Sequence, residues 1–158
     1  MNKVFFDLEW NTGFLDGNSF DEIIEIGAVK TDEEYRQIDG FRRLIRPVIY
    51  RKMNPYIQKI LAITMKDLQG EEPLAAVAKV FFDWCGDCDT LIAWSGNDFG
   101  VLEKNLAHIG MKIPEQLGRY DVQMAYAYRT ENSIRNYALK TAVEAMELPE
   151  PEGQEYHD

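Results

Sequence analysis

The stretch Phe5-Phe6-Asp7-Leu8-Glu9-Trp10 places the tightest constraint on this chain. On a β-strand successive side chains point to opposite faces, so Val4, Phe6, Leu8 and Trp10 share one side while Phe5, Asp7 and Glu9 share the other. Two carboxylates thus stand two residues apart on a strand apolar enough to be central in a sheet. Burying a carboxylate without a partner costs several kcal/mol, and a neighbour of like charge makes matters worse. Two readings follow. Either this face lies open at a sheet edge, or a cation sits against it, and hard divalent ions such as Mg²⁺ or Mn²⁺ are the ones that carboxylate oxygens suit.

The surrounding sequence predicts where that strand lies. Residues 3–10, 21–30 and about 36–46 are short runs rich in β-branched and aromatic residues, separated by the turn formers Asn11-Thr12-Gly13, Asp16-Gly17-Asn18-Ser19 and Thr31-Asp32-Glu33. Connections this short favour antiparallel neighbours. Pro47 and Pro55 then break the pattern, a short helix is predicted over about 55–62, and Thr64 can cap the turn that follows. After Pro73, the residues Leu74, Val77, Val80, Phe81 and Trp84 recur at helical spacing up to Gly86. Residues 90–94 read as a buried strand, Asn97 or Asp98 as the cap of a helix running to about 109, and helices are expected over 122–128 and 136–146. The order predicts an α/β fold, a mixed β-sheet of three antiparallel N-terminal strands plus further strands, flanked by helices.

Length and charge narrow the class. A chain of 158 residues suits one domain. No run approaches the roughly 18 apolar residues of a membrane span, and the first apolar run is broken at Asp7, too early for a signal-peptide core. With only two cysteines, Cys85 and Cys88, the chain reads as cytoplasmic. Their Cys-x-x-Cys spacing belongs to redox pairs only where a strand precedes and a helix follows, and here the order is reversed. The formal charge of −10 argues against a polyanionic partner. Charge is segregated, however: between Arg36 and Lys66 there are eight Lys or Arg against one acid, Asp39. That segment is either a solvated basic face or a phosphate-contacting surface beside an acidic centre.

Asp98 falls just past the carboxyl end of the predicted strand 90–94, where sheet proteins commonly build sites, although a plain helix cap explains it too. With these residues in view, FDLEW, then DEIIEIGAVK, WSGNDFGVLEKNL and YALKTAVEAMELPEPEGQEYH together resemble the DnaQ-like 3'→5' exonucleases of DEDDh type, which have a ribonuclease-H-like fold. The resemblance covers essentially the whole chain and is nearest to small bacterial members grouped with sporulation-inhibitor-like exonucleases.

The resemblance implies that Asp7 and Glu9 bind two divalent metal ions, Mg²⁺ or Mn²⁺, with Glu9 contacting both, and that Asp98 binds a metal directly or through water. It implies that His157 is the general base, a role its pKa near neutrality suits. The expected reaction is in-line displacement at phosphorus that releases nucleoside 5'-monophosphates from the 3' ends of single-stranded DNA or RNA. Trp10 and Phe14 would lie against the terminal nucleotide, suited to stacking, while Trp10 equally fits the core from its strand face. Asp121 is expected to cap the helix after it, and His108 to sit at a helix C-terminus. Arg119, Arg129, Arg135 and Lys140 are either phosphate contacts or surface charges. One departure stands out: the family places an aspartate five residues after the histidine, and this chain stops at Asp158. It therefore reads as an exonuclease domain, 1–158, cut short within its last helix. The alternative is a non-catalytic module of the same fold that binds nucleic acid or protein.

Overall fold

A computed structural model describes residues 1–131 and 137–149 of the chain. Its first two strands, β1 (Lys3–Leu15) and β2 (Asn18–Thr31), form one long antiparallel hairpin. Both outrun the strands expected from sequence. Asn11, Thr12 and Gly13, expected as a turn, are paired with Glu22, Asp21 and Phe20, and the chain reverses at Asp16 and Gly17. Those two residues take φ of 50° and 81°, as a two-residue hairpin turn with a matching twist requires. Gly13 stays in the strand because it makes room: a Cβ there would lie 2.6 Å from the Tyr50 ring.

β3 (Gln37–Leu44) adds antiparallel to β2, whereas β4 (Thr90–Ala93) and β5 (Gly118–Asp121) run parallel on the other side, giving the order β3-β2-β1-β4-β5. β1 is the middle strand, but β4 pairs only with Lys3, Val4 and Phe5, so at Asp7 and Glu9 the strand is paired with β2 alone. β5 has no counterpart in the sequence reading; three of its four residues are exposed, and it forms by pairing with β4.

Val4, Phe6 and Leu8 face the main core, which α3 (Leu74–Cys85) and α4 (Gly96–His108) help to build through Leu74, Val77, Phe81, Phe99, Leu102 and Leu106. Edge-to-face ring pairs join the layers, Phe6 with Phe99 at 5.1 Å and Phe41 with Phe81 at 5.3 Å. The helix expected from Asn97 or Asp98 begins instead after Ser95, whose Oγ accepts from the Asn97 N–H at 3.3 Å, so Asp98 lies inside the first turn. Two short helices, α1 (Pro55–Leu61) and α2 (Met65–Leu68), close a second cluster of Ile24, Met53 and Leu68. α5 (Val122–Glu131) and α6 (Leu139–Ala145) follow β5; the expected start of the last helix at Asn136 lies outside the described residues. Among the described residues no helix is long and apolar enough to cross a membrane.

A β-bulge links the two clusters. The register passes from Glu9↔Glu25 to Trp10↔Ile23, leaving Ile24 as the extra residue on β2. Ile24 joins the second cluster while Ile23 and Ile26 stay in the main core. The backbone left over beside the bulge is taken up by buried Asn105 of α4, whose Oδ1 accepts from Ile23 N–H at 3.1 Å while Nδ2 donates to the carbonyls of Asp21 (2.7 Å) and Val101 (2.9 Å). Asn105→Ala leaves a buried N–H and carbonyl of β2 without these partners. It is expected to lower the free energy of urea unfolding by about 2–4 kcal/mol, and a loss under about 0.5 kcal/mol would contradict the clamp.

Candidate active site

The period-2 alternation of β1 puts Asp7 and Glu9 on the face away from the main core, with Asp7 exposed and Glu9 half-buried. Directly across from Glu9 on β2 stands Glu25, a like charge where a cross-strand pair is destabilising. Glu25 is buried, and Arg42 on β3 neutralises it in an ion pair. Asp98, 6 % exposed, comes from the first turn of α4 just beyond the end of β4. The Ser95 hydroxyl donates to its Oδ2 at 3.3 Å, and backbone hydrogen bonding reaches it from Leu8 of β1. That last bond ties the helix start to the middle strand, one residue from each of the two acids.

The field at this place is one-sided. Burial pushes the Glu9 carboxyl up to about 7, and Asp7, Glu25 and Asp98 push in the same direction. Burial likewise raises Asp98 against the downward pull of its hydrogen bonds to Ser95 and to the backbone. The donors are oxygen only and the charges of Asp7, Glu25 and Asp98 all raise Glu9, which fits a hard divalent cation in chemistry and in sign. Among the described residues, though, no three His, Cys, Asp or Glu side chains converge closely enough to hold a metal ion.

The other expected site residues are spread out. Trp10 is half-buried and packs against the main core, on the side away from Glu9. Phe14 is 77 % exposed, near the tip of the hairpin. His157 lies outside the described residues, as does Arg135. Asp121 caps α5, its Oδ1 accepting from the Met124 N–H at 2.8 Å, and Arg119 is engaged in an ion pair with Glu103. His108 is exposed in the last turn of α4, its ring 5.6 Å from that of Phe20. Cys85 and Cys88 are buried, and burial pushes the Cys85 thiol up to about 12, the opposite of what a reactive thiolate needs.

Two acids of β2, Glu22 and Glu25, went unnoticed in the sequence although they share with Asp7 and Glu9 the oddity of carboxylates inside an apolar strand. Glu22 is buried and accepts from three consecutive backbone N–H groups, Val48 (2.6 Å), Ile49 (2.7 Å) and Tyr50 (2.9 Å). One buried acid of β2 is thus satisfied by a loop and the other by an arginine. Among the described residues Glu9 has neither arrangement.

A family model described as Exonuclease (RNase_T) matches residues 4–157. A DNA polymerase III of PolC type from Clostridium perfringens (strain 13 / Type A) is 34 % identical over 112 residues, which is 70 % of this chain and 7 % of the polymerase. The chain therefore spans a small part of the length of that relative. Among solved structures, the cell-death related nuclease CRN-4 superposes with a TM-score of 0.75 at 14 % identity, covering 94 % of this chain and 55 % of that one. The nuclease domain of 3'hExo, a DEDDh family member bound to rAMP, gives 0.74 at 16 % identity, covering 93 % and 79 %. At these identities the likeness to the solved structures is one of fold.

The raised Glu9 carboxyl has a consequence for stability. Its pKa in the fold lies above the ordinary 4.5, so the metal-free protein loses stability as pH rises from about 4.5 through about 7. Glu9→Gln removes that loss. In thermal melts with EDTA, the variant is expected to gain on the wild type by a few degrees between about pH 5 and about pH 8, and parallel profiles would contradict the crowded field at Glu9.

Proposed function

The chain belongs to the RNase_T exonuclease family, and on that premise we propose that it is a metal-dependent 3'→5' exonuclease releasing nucleoside 5'-monophosphates from single-stranded DNA or RNA ends. The observation that carries the reading is the middle-strand carboxylate Glu9, pushed up to about 7 by burial and by the charges of Asp7, Glu25 and Asp98. A nuclease must bring cations to a polyanion, and this is where negative charge is concentrated among the described residues.

Asp7, Glu9 and Asp98 would hold the divalent ions, Mg²⁺ or Mn²⁺. When bound, such ions supply positive charge against the attacked phosphate and lower the pKa of water. The protein's own part is positional. β1 fixes Asp7 and Glu9 two residues apart on one face of the central strand. Ser95 and the Leu8 backbone hold Asp98 against that strand. Arg42 keeps Glu25 engaged, which leaves it out of the donor set. His157, which the family match reaches, would take the proton from the attacking water. The rAMP bound to the 3'hExo nuclease domain supports ribonucleotide ends as substrate, while the PolC-type relative, a DNA polymerase, supports DNA.

One observation favours the non-catalytic alternative, a nucleic-acid- or protein-binding module of the same fold: the three carboxylates do not converge on one point. Oligonucleotides decide between the two. With Mn²⁺, single-stranded DNA or RNA labelled at the 5' end should shorten progressively, and the same strand labelled at the 3' end should lose its label as a mononucleotide at once. EDTA should stop both, and Asp7→Ala or Asp98→Ala should slow them by about 100-fold or more. Wild-type protein that leaves every strand intact with Mn²⁺ would overturn the enzymatic reading.

A further inference from the structure

The basic segment of the sequence divides in two once its partners are known. In its first part Arg36 pairs with Asp32 (2.7 Å) and Glu34 (2.8 Å), Arg42 pairs with Glu25, and Arg46 Nε donates to the Glu71 carbonyl at 3.1 Å. Arg43, Arg51, Lys52, Lys59 and Lys66 are exposed and make no ion pair among the described residues, and of these Arg43 lies over the Phe41 ring on β3. Arg51, Lys52 and Lys59 are the ones carried by the segment that hydrogen-bonds to β1, through Asn11, Thr12 and Asn54.

Their position is fixed by buried polar groups of the hairpin. Asn11, 1 % exposed and two residues past Glu9, donates from Nδ2 to the Lys52 carbonyl at 3.0 Å and accepts at Oδ1 from the Asn54 N–H at 2.8 Å. Asn54 Nδ2 donates to the Thr12 carbonyl at 3.4 Å, and its Oδ1 caps α1 through the Tyr56 N–H at 2.9 Å. Upstream, Glu22 holds the backbone of residues 48–50, and Tyr50 lays its ring over Gly13 with its hydroxyl donating to the Phe20 carbonyl at 3.0 Å. A loop tied down at so many points presents its side chains without a large ordering cost. Two residues of strand amount to about 7 Å, so this surface begins close to the acid cluster. α1 adds Tyr56, 69 % exposed, one turn before Lys59.

We infer that Arg51, Lys52 and Lys59, together with the Tyr56 ring, form the path of the single-stranded nucleic acid leading into the acid cluster, with phosphates on the cations and a base stacked on the tyrosine. The inference rests on the nuclease reading for the position of the strand's end. Charge decides the occupant: outside residues 36–66 the chain carries an excess of acid, and a polyanion approaching the carboxylates needs a positive route. Exposed cations beside an exposed aromatic ring are the combination that binds single strands with little regard to sequence.

The test is anisotropy binding of a labelled single-stranded oligonucleotide, DNA and RNA in turn, in EDTA over a range of salt. Arg51→Ala/Lys52→Ala/Lys59→Ala is expected to weaken binding at least about tenfold and to flatten the slope of log K against log salt by about 2, roughly 0.7 for each phosphate of the single strand that a cation no longer neutralises. Tyr56→Ala is expected to weaken binding about fivefold or more with the slope unchanged, since stacking releases no counterions. Lys79→Ala/Lys104→Ala/Lys112→Ala removes the same charge elsewhere and should leave affinity and slope near wild type. Thermal melts check that each variant folds as the wild type does. A first triple variant that keeps the wild-type slope, or a control triple that loses as much, would overturn the path, as would a wild type that binds no strand. Failure of the nuclease reading shows separately: a wild type that binds through these residues but never shortens a strand with Mn²⁺ loses the enzymatic reading and keeps the path.

Discussion

Mutual repulsion around Glu9 is the constraint on which the site's arrangement depends. The residue stands on the middle strand with Asp7 beside it on the same face, Glu25 opposite it on β2, and Asp98 brought in by α4. A fold selected for stability alone would have no reason to gather these charges around a half-buried Glu9, because burial and the three neighbours together raise the cost of ionising it. The arrangement persists because its supports lie elsewhere. The main core beneath β1, with Phe6, Phe81, Leu102 and Leu106, holds the strand in place whatever its outer face carries. Stability is given up at Glu9 and made up in the packing.

Buried polar side chains then carry the positional accuracy. Asn105 joins α4 to β2 beside the bulge, and α4 in turn carries Asp98. Asn11 and Glu22 fasten the loop of residues 48–54 to the hairpin past the acid pair. Each of these groups is buried with its hydrogen bonds made, so each specifies a geometry that apolar packing alone would leave loose. Glu22 and Glu9 differ instructively. Both are acids on the hairpin, but Glu22 has three backbone N–H groups aimed at it, whereas among the described residues Glu9 is acted on by Asp7, Glu25 and Asp98. The first is held as a carboxylate by the backbone around it; the second is pushed toward its neutral form by burial and its neighbours.

What could be read in the sequence was whatever local periodicity encodes. The alternation of Val4, Phe6 and Leu8 against Asp7 and Glu9 gave the correct faces of β1, and the helical spacing of Leu74, Val77 and Phe81 gave α3. What long-range bonds impose was not visible. Asn11-Thr12-Gly13 has the composition of a turn and is nonetheless strand, because Asn11 finds its partners more than forty positions away, at Lys52 and Asn54. β5 has no apolar pattern since its residues face solvent, and its conformation comes from pairing with β4. The bulge at Ile24 shifts the parity of β2 without changing its composition, so the roles of Glu25 and Asn105 were hidden with it. For the site, the positions of Asp7, Glu9 and Asp98 were legible from strand alternation and from a strand-to-helix junction. The field that couples them required the fold.

If the carboxylates of Asp7, Glu9 and Asp98 are gathered for a divalent cation, the ion itself should be found among them. Crystals of the protein soaked in Mn²⁺, with anomalous diffraction collected at the manganese edge, test this most directly. Anomalous density is expected between these three side chains, with oxygens drawn in to about 2.1–2.2 Å of the ion. Saturating Mn²⁺ that leaves this place empty, or that settles instead at Glu22 or Glu25, would contradict it.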